Sequence, residues 1–153
     1  MAEAPGIRPA RISDAEEIAR LSIQLGYPAS VEEITSRLET LLASAHHFVA
    51  VAVGQGPRLS GWAVVERRLH LESGETAELA GLVVDATARR SGVGAALVSA
   101  AEGWAVEQAL AFIRVRSNIA RHESHPFYTN LGYTLKKTQH TYEKPLSNAS
   151  FHG

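Results

Sequence analysis

The sequence contains no cysteine, and several other features are missing as well. Without cysteine the chain forms no disulfide bonds, no thiolate zinc site and no cysteine nucleophile. A net charge of −1 excludes an overall basic field that would recruit nucleic acid. No apolar run approaches the roughly 20 residues that span a membrane, and the first residues lack a signal segment. We therefore expect a cytoplasmic protein whose partners include neither nucleic acid nor membrane.

The composition predicts one globular domain. The chain has 153 residues, of which 45% are hydrophobic and 20% charged, as is ordinary for a single domain with its own core. No linker, repeat or low-complexity block interrupts it. We expect a single domain over residues 1–146 and a flexible C-terminal tail over residues 147–153.

Hydrophobic periodicity predicts an α/β fold. A short edge strand precedes two helices that begin at the capping boxes Ser13–Glu16 and Ser30–Glu33. Three strands follow as a meander, and Gly81 in the last of them marks a bulge or a close backbone approach. A helix from Gly92 to about residue 108 and a strand at 111–116 come next, which implies a parallel pair with a right-handed crossover. A short helix at 124–130 and a strand over Tyr133–Lys144 complete the prediction.

The most informative stretch joins the third meander strand to the helix after it. The apolar strand end Leu82–Val84 is followed by Arg89, Arg90 and Ser91, and then by Gly92 and Gly94. N–H groups at a helix start have no internal partner, and the helix dipole favours negative charge there. Glycines admit a phosphate to the backbone, and arginines add forked donors. The stretch predicts a phosphate-binding turn, although similar turns also occur without a ligand.

Two familiar phosphate motifs do not fit this turn. No Gly-Lys-Ser/Thr follows the glycines, which excludes a nucleoside-triphosphate loop, and Leu97 stands where a dinucleotide fingerprint has its third glycine. The residues alone leave coenzyme A, a nucleotide and a phosphosugar open as ligands.

The spacing of Arg89, Gly92 and Gly94 after an apolar strand resembles the acyl-coenzyme A signature of the GCN5-related N-acetyltransferases (GNAT). Asn118, Arg121 and the segment Phe127–Tyr133 are similar to the second motif of that family. The order of the elements also agrees over nearly the whole chain. The segment between residues 116 and 128 more loosely resembles the branch of aminoalkylphosphonate and small-amine acetyltransferases.

This resemblance implies a GNAT-like α/β fold. Its central mixed twisted sheet would have about six or seven strands, two early helices, and a parallel strand-helix-strand unit that splits to hold coenzyme A. The pantetheine arm would lie along Leu82, Val83 and Val84. The pyrophosphate would contact Arg89, Arg90, Ser91, Gly92, Val93, Gly94 and Ala95, while Asn118 would close the other side.

Acetyl transfer to an amine poses two proton problems. An alkylammonium has a pKa near 10.4, so only about one molecule in a few thousand is neutral and nucleophilic at pH 7. Glu78, on the strand before Leu82, is the candidate base, acting through water; a water relay without it, or a solvent-facing Glu78, is the alternative. Tyr128 is the candidate acid for the departing thiolate, by its place in the family motif; the alternative is an aromatic that only packs.

The remaining polar residues carry weaker expectations. His122 and His125 are three apart around a helix start, but contact with the acceptor or capping is favoured there over metal, and no metal site is predicted. His70 borders the amine pocket by the family resemblance. Arg114 and Arg116 alternate along a strand, which indicates a solvated face.

These observations predict an acyl-CoA-dependent N-acetyltransferase with acetyl-CoA as co-substrate. A primary amine of a small molecule would attack directly in a ternary complex. The alternatives are a non-catalytic acyl-CoA-binding sensor on the same fold, a protein N-acetyltransferase, and an unrelated α/β module that binds a nucleotide or phosphosugar. Family habit also indicates a homodimer.

Overall fold

A computed structural model of the chain describes residues 6–89, 91–116 and 124–147. The chain forms two compact units, Met1–Arg116 and Ser117–Gly153. No helix in the described ranges is both long and apolar enough to cross a membrane. The predicted single domain and tail stay predictions.

The first unit is a sheet covered by helices on both faces. Its strands occur in the order β1-β2-β3-β4-β5, antiparallel except for the parallel pair β4–β5. This arrangement confirms the predicted edge strand, meander and parallel unit. The elements in chain order are β1 Gly6–Pro9, α1 Ala15–Gln24, α2 Val31–Ala43, β2 His47–Val53, β3 Leu59–His70, β4 Gly74–Val84, α3 Val93–Glu107 and β5 Ile113–Val115.

The sheet buries apolar side chains on both faces because successive residues of a strand point to opposite sides. One face packs against α1 and α2 in a cluster that includes Leu21, Leu38, Val51 and Trp62. On the other face, α3 buries an apolar stripe of Val93, Leu97, Val98, Ala101 and Ala105. Gly61 allows this approach, since a Cβ there would lie 3.0 Å from Leu97 Cδ1 and 2.7 Å from the Val83 carbonyl oxygen.

One of the two predicted capping boxes is confirmed. The Glu33 N–H donates to Ser30 Oγ at 3.0 Å, and the Ser30 N–H donates to Glu33 Oε1 at 2.9 Å. The box at Ser13–Glu16 is wrong, because Asp14 accepts the Arg11 N–H at 2.7 Å instead. The Arg8 guanidinium donates to both Asp14 carboxylate oxygens at 2.8 Å and lowers the pKa of that carboxyl. A charge-assisted pair of this kind is stronger than a hydroxyl cap.

In the second unit, α4 spans Ser124–Asn130 as predicted, and Gly132 follows with φ +92°. The predicted strand over Tyr133–Lys144 is wrong, since residues 133–147 contain no strand. Its threonines favour extended backbone, but Leu135 and Tyr142 are 66% and 90% exposed, so the segment buries no apolar face. The described residues therefore form a sheet of five strands rather than six or seven.

Candidate active site

The sheet splits between β4 and β5. Residue pairing between the two strands covers only Ala77 with Ile113, Glu78 with Arg114 and Leu79 with Val115. Beyond Leu79, β4 continues to Val84 beside β3, while its other edge has no strand partner among the described residues. Such an edge presents unpaired backbone N–H and C=O groups, which is what the predicted pantetheine arm requires.

A bulge stands at the point where the sheet splits. Val64 pairs with Gly81 and Val65 with Leu79, so Ala80 is an additional residue on β4. Trp62 lies against the same place: a Cβ on Gly81 would be 2.8 Å from its Cζ3 atom. Of the two alternatives predicted at Gly81, the bulge is confirmed; the group that approaches Gly81 closely is the Trp62 side chain and not another backbone segment.

Because of the additional residue, N–H groups of odd-numbered residues face the β5 side before the bulge, and those of even-numbered residues face the open edge after it. Before it, the Ala77 N–H donates to the Phe112 carbonyl on the β5 side at 2.9 Å. After it, the Asp85 N–H donates to the Ser60 carbonyl on the β3 side at 2.8 Å. Because these groups alternate along a strand, the N–H groups directed to the open edge are those of Leu82 and Val84.

The turn after β4 has the backbone geometry that the predicted anion cradle requires. Gly92 is the N-cap of α3 with φ +86°, a conformation that favours glycine. The first intrahelical bond joins the Ala96 N–H to the Gly92 carbonyl at 3.0 Å, so the preceding N–H groups have no carbonyl within the helix. These donors belong to Val93, Gly94 and Ala95, and no carbonyl of a described residue accepts from them. Arg89 is exposed beside them, and Ser91 donates to the Ala88 carbonyl. Arg90 lies outside the described residues.

Asp85 fastens the start of this turn to α1. It is 6% exposed, and its carboxylate accepts the Thr87 N–H at 3.1 Å, Arg20 Nη1 at 3.1 Å and Gln24 Nε2 at 3.4 Å. The N–H and hydroxyl of Thr87 lower the Asp85 pKa to about 2, helped by Arg20 and Gln24 and opposed by burial. Gln24 also accepts the Ala86 N–H at 2.9 Å. Sequence reasoning missed this group, although an aspartate two residues before a threonine is an Asx-turn signal.

Glu78 lies just before the bulge and is only 8% exposed. The Arg68 Nη1 atom is 3.1 Å from one carboxylate oxygen, and Arg116 Nε is 3.4 Å from the other. Arg68 also reaches Glu66, which is opposite Glu78 in register, at 3.4 Å. The alternative of a solvent-facing Glu78 is therefore wrong. Arg114 and Arg116 are exposed, as the predicted solvated face requires, and Arg116 in addition contacts Glu78. The surroundings of Glu78 combine apolar neighbours with two guanidinium groups.

The other predicted site residues belong to the second unit, except His70, which is the last residue of β3. Tyr128 is half-buried on α4, with ring contacts to Phe127 at 4.9 Å and to Tyr133 at 5.8 Å between centroids. Asn118, Arg121 and His122 lie outside the described residues. His70 Nδ1 is 3.9 Å from a Glu72 carboxylate oxygen. His125 is exposed. Within the part of the chain that the structure describes, no three metal-ligating side chains come together.

The described residues thus define an α/β protein whose sheet splits between two parallel strands, with a glycine-capped helix after the first of them. The sequence pattern of the Acetyltransferase (GNAT) family matches residues 15–133. The chain belongs to this family. The predicted enzyme class, an acyl-CoA-dependent N-acetyltransferase with acetyl-CoA as co-substrate, is thereby confirmed.

Individual relatives agree with this assignment. The chain is 28% identical over 152 residues to an aminoglycoside N(6')-acetyltransferase type 1 from Klebsiella aerogenes, covering 95% of this chain and 100% of that protein. It is 32% identical over 80 residues to an uncharacterized N-acetyltransferase, YhdJ, from Bacillus subtilis (strain 168), covering 52% of this chain and spanning only 55% of that protein.

Solved structures share the fold. An aminoglycoside 6'-N-acetyltransferase, AAC(6')-Ih, from Acinetobacter baumannii superposes with a TM-score of 0.80 at 21% identity, covering 94% of this chain and 99% of that one. AAC(6')-Iy, in complex with a CoA bisubstrate analogue, has a TM-score of 0.82 at 20% identity. The superposition covers 94% of this chain and 100% of that one. The predicted GNAT-like fold is confirmed.

Proposed function

We propose that the protein transfers the acetyl group of acetyl-CoA to a primary amine of a small molecule by direct attack in a ternary complex. The observation that carries this proposal is the buried Glu78 carboxylate, placed on β4 immediately before the strand edge opens. One strand thus supplies a proton acceptor and, a few residues later, a backbone edge for the acyl donor.

The described residues fit acetyl-CoA. The open edge at Leu82 and Val84 offers backbone donors to the pantetheine amides. The N–H groups at the start of α3, with the exposed Arg89 four residues before that helix, would bind the pyrophosphate. Val83 is 3% exposed and supports this edge from the core. When bound, acetyl-CoA supplies the thioester that the amine attacks. Contacts from Arg90 and Asn118 remain proposals.

Glu78 would take the proton of the incoming ammonium, directly or through one water. Only the neutral amine attacks a thioester, and general bases of this kind typically contribute about 10²–10⁴-fold. Arg68 and Arg116 hold the two carboxylate oxygens in place at 3.1 and 3.4 Å, which fixes the direction in which the base points. They also compensate its charge in a buried setting.

Tyr128 would protonate the departing thiolate. A thiol has a pKa of about 8.5 and a phenol about 10, so a tyrosine hydroxyl can supply this proton when it lies at the sulfur. Its edge-to-face contacts with Phe127 and Tyr133 restrict the ring. Since the chain has no cysteine, no cysteine acyl-enzyme can form.

Two narrower features belong to the same proposal. We expect a cytoplasmic location and a homodimer, and sedimentation of the purified protein tests the latter. The Klebsiella relative makes aminoglycosides a second acceptor class for the assay.

The experiment follows free thiol released from acetyl-CoA with a panel of amines, with mass spectrometry of the product. Double-reciprocal plots that intersect, rather than run parallel, support a ternary complex. Tyr128→Phe should lose most of its turnover while retaining CoA affinity. If CoA binds and no amine, small or peptidic, is acetylated, the protein is a sensor and the proposal fails. Acetylation of peptide amines alone would point to a protein N-acetyltransferase.

A further inference from the structure

Charged side chains form a row across the sheet face that α1 and α2 also contact. Residues opposite each other in register lie on the same face, and three such pairs run from β2 to β5. The pairs are His47 with Glu66, Glu66 with Glu78, and Glu78 with Arg114. Arg68 and Arg116 join them through their contacts with Glu78. These six residues are the charged row.

The charged row has more guanidinium groups than carboxylates. Glu66 contacts Arg68 at 3.4 Å and His47 Nε2 at 3.2 Å. Glu78 contacts Arg68 and Arg116, so both carboxylates are already engaged. Arg114 is exposed and forms no ion pair with any residue that the structure describes. One forked cation is therefore available to an external anion beside the proposed base.

The spacing of Arg114 and Glu78 limits what they can bind together. Neighbouring strands lie about 4.8 Å apart, so the two side chains start from adjacent positions. A guanidinium matches a carboxylate through two parallel hydrogen bonds. A polycation would instead meet the side chains of Arg68 and Arg116, which are 40% and 66% exposed, and be repelled.

We infer that the acceptor is a small amino acid-like molecule: its amino group meets Glu78 and its carboxylate binds Arg114. The inference rests on the proposed function, because it requires Glu78 to face the acceptor. It places the acid group and the amine only a few bonds apart. It also separates this protein's acceptor class from the polycationic aminoglycosides named for its relatives.

The test compares matched acceptors and matched variants. Amino acids with α-, β- and γ-carboxylates are assayed against their primary amides, which keep the size and remove the charge, and against diamines and aminoglycosides. Each rate is divided by the concentration of unprotonated amine, because the acceptors differ in the pKa of their amino groups. We expect kcat/KM to be at least about tenfold higher for the best acid than for its amide, as a charge-assisted bond provides. Arg114→Gln should reduce this ratio to near one, with Arg114→Lys intermediate.

Arg67→Gln is the control variant, because Arg67 donates to Glu75 at 3.1 Å and is separate from the charged row. It should keep the preference for acids. If amides, diamines or aminoglycosides are acetylated as well as the acids, and Arg114→Gln leaves the ratio unchanged, the inference is overturned while the proposed function stands. Absence of acetylation with every amine overturns both.

Discussion

The two halves of β4 show two different ways of building a binding site. Gly74–Leu79 pairs with β3 throughout and with β5 at its end, and it carries the buried Glu78 among arginines. After the unpaired Ala80, the segment Gly81–Val84 pairs with β3 and with no other strand of the described residues, so it offers its other edge and apolar side chains. The first half acts through the identity of its side chains, and the second acts through its backbone.

This difference predicts different sensitivities. A backbone site depends on conformation and on what holds the strand and turn in place, so side-chain changes along Leu82–Val84 should be tolerated when they preserve packing. A side-chain site depends on individual atoms, so the loss of one carboxylate should matter far more. The substitutions below test this contrast, from the largest expected effect to the smallest.

Glu78→Gln should have the largest effect. It keeps the shape and removes the proton acceptor, so kcat should fall by about 10²–10⁴-fold with little change in acetyl-CoA affinity. Steady-state thiol release and CoA titration measure the two quantities. Glu75→Gln is the matched control on the same strand, because Glu75 is exposed and bonded to Arg67. A Glu78→Gln enzyme with turnover within threefold of the wild type would remove Glu78 as the base.

Asp85→Asn should lower stability and loosen the cradle. A pKa of about 2 against an unperturbed 3.8 corresponds to about 2 kcal/mol of stabilisation by the ionised form. This stabilisation is fully present above pH 3.8 and is lost as the pH falls through about 2. In urea unfolding, the wild type should therefore have a larger free energy of unfolding than Asp85→Asn at pH 7. This difference should become smaller below pH 4. A difference that does not change with pH would contradict the assigned role.

Gly92→Ala should weaken acetyl-CoA binding. The φ of +86° costs a non-glycine residue about 1–2 kcal/mol, so the turn either shifts or destabilises the protein. Calorimetry with CoA should show affinity weakened by up to about 30-fold if the whole of that cost falls on binding. Ser30→Ala, which removes the α2 cap at a typical cost of about 1 kcal/mol, is the control for stability alone. Equal CoA affinity in wild type and Gly92→Ala would argue against this cradle.

Local signals predicted most of the fold and, within the candidate site, the bulge and the glycine-capped turn. The Ser30–Glu33 box, the apolar periods and the glycine-rich turn depend on neighbouring residues, so they are visible in the sequence. The contact of Arg20 with Asp85 joins residues 65 apart and appears only once α1 lies on the sheet. The contacts of Arg68 and Arg116 with Glu78 likewise form only when β3 and the end of β5 lie on either side of β4. The predicted last strand failed because strand propensity needs a partner edge.

The additional residue at Ala80 makes β4 one residue longer than the segment of β3 opposite it, while the pairs on both sides of the bulge stay in step. Deleting Ala80 would therefore restore a continuous ladder in which Val83 still lies opposite Trp62. Deleting Ala80 and Gly81 together would move every later residue of β4 by one position on β3, turning Val83 away from the core and the N–H groups of Leu82 and Val84 toward β3. The single deletion should therefore keep acyl-donor binding, and the double deletion should lose it although Glu78 and the residues of the turn are all retained.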